Sequence, residues 1–438
     1  MAAAIMDCLQ ANADNNLPQS IFDRLSSSRA DLAFALSQRL VEVGSTEDEF
    51  MAILPTAWAT LRTYNSNLEA ALGDKNADYY RMLLKILYLA LQAHTPASLS
   101  DAANVGASSL SNSSTTASSP HSKATTQIVS EILSVIVGRG FRSLTILLHS
   151  SVNVVKPWDF AILTAILRSC LCVPGIDQHA TQLLADFSSS QTARCAATLL
   201  SWSDQLASST SGDPIFGELS INFLLAISSD VALAESLAVD GVLGQILSTN
   251  VIRVLQSRAF SPLDSPSRMY AIWARGMLPL LLNLLNAIGP PIAAEVAAAL
   301  NRFPQQLFQS SNAFANHSRG SSIAEGYMTL SMATEAHNIA LISSMLRSFR
   351  EAAASAALQA GDIEEVKWDS AQVKEDVEST LQDRAGLRLR IVATSKREEG
   401  WSRTKPPTEG RGNENMLEEK VVDELRGLVG ILSVDGEA

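Results

Sequence analysis

Metal, thiol or acid–base chemistry would have to come from a small set of side chains in this sequence. The cysteines are Cys8, Cys170, Cys172 and Cys195, and the six histidines are His94, His121, His149, His179, His317 and His337. A zinc site uses two pairs of Cys or His at short spacing, and Cys170-x-Cys172 has no second pair. The cysteines sit mostly among apolar neighbours at helical spacing, which predicts structural thiols in a reducing compartment and no disulfide framework. His337 falls on the apolar stripe from Leu330 to Leu341, the place of a core or groove-lining imidazole. No metal site is expected.

Paired carboxylates lead to the same answer. Glu364-Glu365 and Glu398-Glu399 lie in a charged carboxy-terminal stretch, where a solvated face is the ordinary role. Asp159, Asp186, Asp230 and Glu295 are too dispersed to suggest the two facing acids of an α/α-toroid hydrolase. Phosphate loops of the Walker or dinucleotide kind are absent, and Gly138-Arg139-Gly140 and Gly410-Arg411-Gly412 read as helix breakers. There is no Gly-x-Ser-x-Gly elbow and no His-Glu-x-x-His helix. Catalytic, cofactor-binding and metal-binding residues are therefore all assigned as none, and an enzyme is not expected. Asn112-Ser113-Ser114 and Asn316-His317-Ser318 match the glycosylation pattern, which carries no meaning without a secretory route. Ser119-Pro120, Ser261-Pro262 and Ser265-Pro266 are phosphorylatable in principle, but loop and helix punctuation accounts for them.

What the chain has in abundance is the means to build helices. Leu, Ala and Ser dominate, aromatic residues make up 6%, and period-two runs of Val, Ile, Thr and aromatics are almost absent, so the class is all-α. A length of 438 residues exceeds what one compact core supports, which calls for several domains or an elongated repeat architecture. A formal charge of −12 and a pI near 5.1, with no basic stripe on any helix, exclude direct nucleic-acid binding as a general role. The most membrane-like stretch, Gly276 to Ala294, holds Asn283, Asn286, Gly289 and Pro290-Pro291 and keeps its strongest apolar residues to one stripe, so it reads as a soluble helix ended by Pro-Pro and not as a transmembrane segment. The opening Met-Ala-Ala-Ala-Ile-Met has no basic region ahead of an apolar one and reads as a start within a larger protein.

Along the chain, residues 1–94 are expected to form the first helical repeats. Their helices carry Leu25, Leu32, Leu36 and Leu40; then Phe50, Ile53, Leu54, Trp58 and Leu61; then Tyr80, Leu83, Leu84, Leu87 and Leu91. Thr46 and Glu49 are placed as a capping box, with Gly73-Asp74 as the following stop. Residues 95–126, rich in Ser and Thr, have too little apolar area to offset ordering and read as a disordered insert. The central block, 127–361, reads as helices over Ile128–Val137, Phe141–Leu148, Trp158–Leu171, Thr181–Phe187, Thr192–Leu206, Pro214–Ile227, Val231–Leu237, Val242–Leu255 and Ser267–Ile288. A capped helix is expected from Ser322 to Phe349, opening on the box Ser322 to Glu325. It carries one stripe of Ile323, Tyr327, Leu330 and Leu341 and a neighbouring one of Ile339, Ile342, Leu346 and Phe349, a breadth that implies contact on two sides.

Residues 362–397 form a charged helical region with the stripe Val366, Val373, Val377 and Leu381, and Leu387 to Ile391 is ambiguous between strand and helix. Residues 398–414 read as a linker, and 415–438 as a terminal amphipathic helix with Glu418, Glu419, Asp423 and Glu424 outward. Its stripe of Leu417, Val421, Leu425 and Leu428, continued by Leu432, must be buried as a cap on this chain or as a docking stripe on a partner. The rhythm of short helices and brief links predicts an α-solenoid of armadillo/HEAT-like helix pairs, curved into a superhelix.

The string from Ser267 to Leu285, Ser-Arg-Met-Tyr-Ala-Ile-Trp-Ala-Arg-Gly-Met-Leu-Pro-Leu-Leu-Leu-Asn-Leu-Leu, preceded by Asn250-Val-Ile-Arg-Val-Leu, resembles the carboxy-terminal region of the large inner-ring scaffold nucleoporins, the karyopherin-like superhelical class of the nuclear pore complex. The likeness extends as helix rhythm from about Asp7 to Leu358, while the Ser-rich insert and the charged tail match nothing in it. The resemblance implies a non-enzymatic architectural protein at the nuclear envelope, without cofactors, that supports nucleocytoplasmic transport of protein and mRNA. Its partners would be other nucleoporins, including extended linker segments. The alternative is a soluble karyopherin-like transport receptor that binds Phe-Gly repeats or transport factors; Phe216-Gly217 alone is too little to make this chain a repeat-bearing nucleoporin.

Overall fold

The computed structural model describes residues 1–10, 19–44, 47–64, 71–72, 77–92, 120–151, 154–206, 213–264, 267–315, 326–355, 363–405 and 415–434. Thr46, Gly73-Asp74, residues 93–119, the box from Ser322 to Glu325, Pro406-Pro407 and Gly410 to Gly412 lie outside this set. The fold is all-α, and no strand forms among the described residues; a parallel bridge joins Met328 and Ile391. The chain divides into two compact units, Met1–Leu199 and Leu200–Ala438.

In the first unit the helices are α1 (Ala2–Gln10), α2 (Gln19–Glu42), α3 (Glu47–Tyr64), α4 (Ala77–Gln92), α5 (Pro120–Ile132), α6 (Gly140–Ser150), α7 (Pro157–Leu171) and α8 (Ala180–Ser189). Helix α9 (Thr192–Trp202) carries the unit boundary. The stripes expected on α3 and α4 are all buried, from Phe50 to Leu61 and from Tyr80 to Leu91. On α2 the buried line is instead Ala30, Ala33, Ser37 and Leu40, and Leu32 is exposed. The small residues let α2 lie close against α1 and α4, so steric fit chose a neighbouring face over the more apolar one.

Helix α1 itself was not anticipated; Ile5 and Leu9 bury it against α2 and α3. Helix α5 begins at Pro120, inside the stretch read as an insert to residue 126, with Thr126 already buried. The break expected at Gly138-Arg139-Gly140 does not occur. A π-helical turn, Leu133–Arg139, carries α5 straight into α6, and both glycines are buried. Leu133, Ile136 and Val137 are packed there, and the Thr192 hydroxyl reaches the Gly138 carbonyl at 3.4 Å, so tertiary contact outweighs the local cost of glycine in a helix.

The second unit continues with α10 (Ile215–Ile227), α11 (Val231–Val239), α12 (Val242–Leu247), α13 (Asn250–Ser257), α14 (Arg268–Ala271), α15 (Leu278–Ile288), α16 (Pro290–Leu300) and α17 (Pro304–Asn312). The helix expected over Val242–Leu255 is thus two, separated at Ser248 and Thr249, whose side chains bond back to the Gln245 and Ile246 carbonyls. The helix expected over Ser267–Ile288 is continuous, again through a π turn, Ile272–Met277. Pro290-Pro291 do not only end it: Gly289 at φ 73° breaks the chain, and the prolines occupy the first turn of α16, where their missing N–H groups cost nothing. Lys123–Ser150 and Arg268–Ile288 are long and apolar enough to cross a bilayer, and 61% and 67% of their most apolar stretches are buried inside the protein.

The unit closes with α18 (Leu330–Ser355), α19 (Ser370–Gln382), α20 (Arg384–Arg390), α21 (Lys396–Arg403) and α22 (Met416–Val434). Helix α18 starts at Leu330 and not at Ser322, with the Thr329 hydroxyl accepting from the Met332 amide and Tyr327 exposed ahead of it. Its burial is broad, with Leu330, Ala333, Ala336, Ile339, Ala340, Ile342 and Leu346 inside, but Leu341 and Phe349 of the expected stripes are only partly buried. Helix α21 runs from the charged region into the stretch 398–414 that reads as a linker. Leu387–Ile391 resolves its ambiguity both ways: helical to Arg390, then bridged at Ile391 to Met328.

Candidate functional site

The groups that could do chemistry are dispersed or already engaged. Cys170 is fully buried in α7 and burial pushes its thiol far up; burial also raises Cys172 and, against the opposing field of Arg142, Cys195. The nucleophilic thiolate is disfavoured at all three. Among the described residues the four cysteines are free and no group of three or more His, Cys, Asp or Glu is placed to hold a metal ion. His149 is exposed on α6 and His179 ends a short 3-10 turn, whereas His94 and His317 lie outside the described residues, as do both glycosylation motifs. Asp230 caps α11 by accepting from the Leu233 amide at 3.0 Å, and Glu295 faces solvent.

Of the acidic pairs, Glu364-Glu365 is exposed as expected, but Glu398 is not. It is 4% exposed, accepting from the Thr394 amide at 2.7 Å and the Thr394 hydroxyl at 2.9 Å, with Arg275 at 3.9 Å. The carboxylate folds back to cap its own helix, which a charge run in sequence does not reveal.

The stripe proposed for docking, Leu417, Val421, Leu425 and Leu428, is brought together along α22 and is buried throughout, together with Leu432. It packs within its own unit, against α18 and α19. Glu418 is not outward: it is fully buried, held by Arg388 at 2.6 Å and Arg384 at 3.4 Å from α20. Glu424 meets Nδ1 of His337 on α18 at 2.6 Å, which places that imidazole at a helix seam. Gly427 is what allows the approach, because a Cβ there would lie 2.9 Å from His337 Cε1.

Two buried polar junctions were not anticipated. In the first unit Arg81 of α4 donates from Nε and Nη2 to the two oxygens of Asp159 on α7, at 2.7 and 2.8 Å, and from Nη2 to the Val154 carbonyl at 3.1 Å. The fork-to-carboxylate geometry compensates a pair that is almost wholly out of water. In the second unit Glu335 of α18 accepts from Tyr270 Oη at 2.6 Å, Trp273 Nε1 at 2.7 Å and Gln306 Nε2 at 3.1 Å. Gln306 also clasps the Phe260 backbone, accepting from its amide at 2.9 Å and donating to its carbonyl at 3.0 Å. Burial raises the Glu335 carboxyl above its ordinary value, and the hydrogen bonds oppose that shift without cancelling it. A sequence signal marks the first of them: Asp159 is the lone acid of the mainly apolar helix α7. These junctions tie helices together and present no reacting atom to solvent.

Against this geometry, the comparisons with known proteins agree with one another. Residues 53–432 match the family model described as the nuclear pore protein NUP188 C-terminal domain. The chain is 34% identical to Nucleoporin NUP188 of Chaetomium thermophilum over 477 aligned residues, covering 99% of this chain and 24% of that protein. It is 24% identical to Nucleoporin nup184 of Schizosaccharomyces pombe over 306 residues, covering 68% of this chain and 18% of that one. The chain thus spans a quarter or less of the length of these relatives. Among solved structures, residues 1445–1827 of Nup188 from Myceliophthora thermophila superpose with a TM-score of 0.67 at 36% identity, over 85% of this chain and 98% of that one. The all-α helical stack, the closed polar junctions and the match across nearly the whole sequence converge, and the chain belongs to the family of the NUP188 nuclear pore protein C-terminal domain.

Proposed function

We propose that this chain is an architectural segment of the nuclear pore complex at the nuclear envelope, one that holds other nucleoporins through grooves between neighbouring helices and does no chemistry of its own. The observation that carries this reading is the family match over residues 53–432, on a fold whose buried acids and thiols are tied into helix packing. Each groove would bury a few anchors from an extended partner, and several weak contacts would sum to a stable assembly supporting the transport of protein and mRNA. The family relation weighs for this frame role over that of a soluble receptor for Phe-Gly repeats. Phe216 of the lone Phe216-Gly217 pair is itself buried.

The test is co-elution and titration calorimetry of the full chain with purified linker-nucleoporin segments and, separately, with Phe-Gly repeat peptides. Binding of at least one linker segment is expected. Binding by none, or repeat binding released by the nucleotide state of a transport GTPase, overturns the scaffold reading.

A further inference from the structure

We propose that the face shared by α2, α4 and α7 in the first unit is a docking groove for an acidic, helix-forming segment of a partner protein. The proposal rests on the scaffold reading above and deepens it by naming one surface and the chemistry it takes.

On α7 the residues Trp158, Ala161, Ala165 and Arg168 recur at steps of three and four, so they share one face. All four remain partly exposed, while Phe160, Leu163, Ile166 and Leu167 on the other side are buried. Lys85 and Tyr88 of α4 and Phe34 of α2 flank that face, also partly exposed. Lys85 Nζ lies 5.1 Å from the centre of the Trp158 ring and 5.4 Å from that of Phe34, held between two aromatic faces. The result is an alanine floor with an aromatic-cradled ammonium at one end and a guanidinium at the other, ten residues and about 15 Å further along the helix.

Among the described residues, both cations lack a carboxylate. Among the described residues neither the Lys85 ammonium nor the Arg168 guanidinium makes a hydrogen bond or an ion pair, and the groups whose field reaches Arg168 are Tyr88 and Cys172, both neutral at pH 7. The nearby acids are engaged elsewhere: Asp159 with Arg81, and Asp78 with Arg81 and Lys156. Burial already lowers the basicity of Arg168, the signature of a charge taken from water without a counter-ion. A carboxylate delivered by a partner would restore that deficit.

Charge complementarity selects the occupant. In a chain of net charge −12, two unpaired cations on one face favour a ligand that brings a few carboxylates. A nucleic acid needs many more phosphate contacts than two, and the remaining charge would repel it. The alanine floor admits a helix with a small apolar face, and the separation of the cations matches acids two to three helical turns apart.

The test uses the full chain and two designed, fluorescein-labelled helical peptides of 24 residues. Both have an Ala/Leu face; one has glutamates ten positions apart, and its twin has glutamines there. Fluorescence anisotropy at low salt should show the Glu peptide binding about tenfold or more tightly than its Gln twin, the scale of a charge-assisted contact. Lys85→Gln and Arg168→Gln should each weaken that preference, and together abolish it, while melting within a few degrees of the parent, and Ala165→Trp should block both peptides by filling the floor. Equal binding of the two peptides, an undiminished preference in the Gln variants, or capture of an RNA oligonucleotide or a second copy of the chain at this face in place of the peptide overturns the proposal. Linker nucleoporins bound equally by parent and variants would sink this groove and leave the scaffold role standing. Glu-peptide binding with no linker bound would do the reverse.

Discussion

Removing Glu335 should expose how much of the second unit hangs on one carboxylate. In Glu335→Ala, Trp273 Nε1 and the Tyr270 hydroxyl lose their acceptor in a site without water access, whereas Gln306 keeps the Phe260 carbonyl. A buried donor left unpaired costs about 1–3 kcal/mol, so two of them cost about 2–6 kcal/mol, a large share of a domain's stability. Glu335→Gln behaves differently. Its amide oxygen can serve Trp273 and Gln306, and its amide nitrogen can donate to the Tyr270 oxygen once that hydroxyl turns.

The pH dependence separates charge from packing. Burial holds the folded carboxyl of Glu335 above its unfolded value, so the folded state binds this proton more tightly. Its contribution to stability is fully present below the ordinary carboxylate range and is lost as pH rises through the raised value. The stability of Glu335→Gln relative to the parent should therefore grow as pH rises across that window. Urea unfolding followed by tryptophan fluorescence from pH 4.5 to 8 measures both effects. An alanine variant within about 0.5 kcal/mol of the parent, or a parent-to-Gln difference that stays flat or shrinks with pH, would refute the reasoning.

Three further outcomes follow from the packing. Arg81→Met strands the Asp159 carboxylate, 3% exposed, and should cost about 3–5 kcal/mol in chemical denaturation, with Arg81→Met/Asp159→Leu recovering most of it. Gly276→Ala places a methyl onto Ile221 Cγ2 and should cost about 1–3 kcal/mol despite alanine's better helix propensity; adding Ile221→Ala should cost less than the two single losses summed, read from a double-mutant cycle. Cys170, fully buried with its thiol pushed up, should stay silent to a disulfide-exchange reagent at pH 8 in the folded chain and react after unfolding; prompt labelling of the native protein would contradict its placement.

The helices themselves were legible because each must hide one face, and the spacing of Phe50 to Leu61, Tyr80 to Leu91 and Leu417 to Leu432 records that need directly. Metal and phosphate sites demand residue types at set intervals, and the sequence reading rests on not finding those intervals. Family resemblance also entered through local residues, Ser267 to Leu285, which form the π-turned helix at the centre of the second unit.

Periodicity is a property of one helix, and it stops short of saying what lies against it. Gly138 sits inside a continuous helix because Thr192 and the buried turn around it repay the loss, although alone it reads as a stop. Leu32 is outside and Ala33 inside because close approach to neighbours rewards small side chains over greasy ones. Glu335, Glu398 and Glu418 are buried because donors from elsewhere in the chain meet them: Tyr270 and Trp273, Thr394 on the preceding turn, Arg384 and Arg388. The sequence alone determined that the chain is all-α and where most of its helices fall. Tertiary structure decided which acids are buried, which face each helix turns inward and which cations, among the described residues, lack a carboxylate, because the cost of desolvating a charge depends on the groups brought beside it and not on its neighbours in the chain.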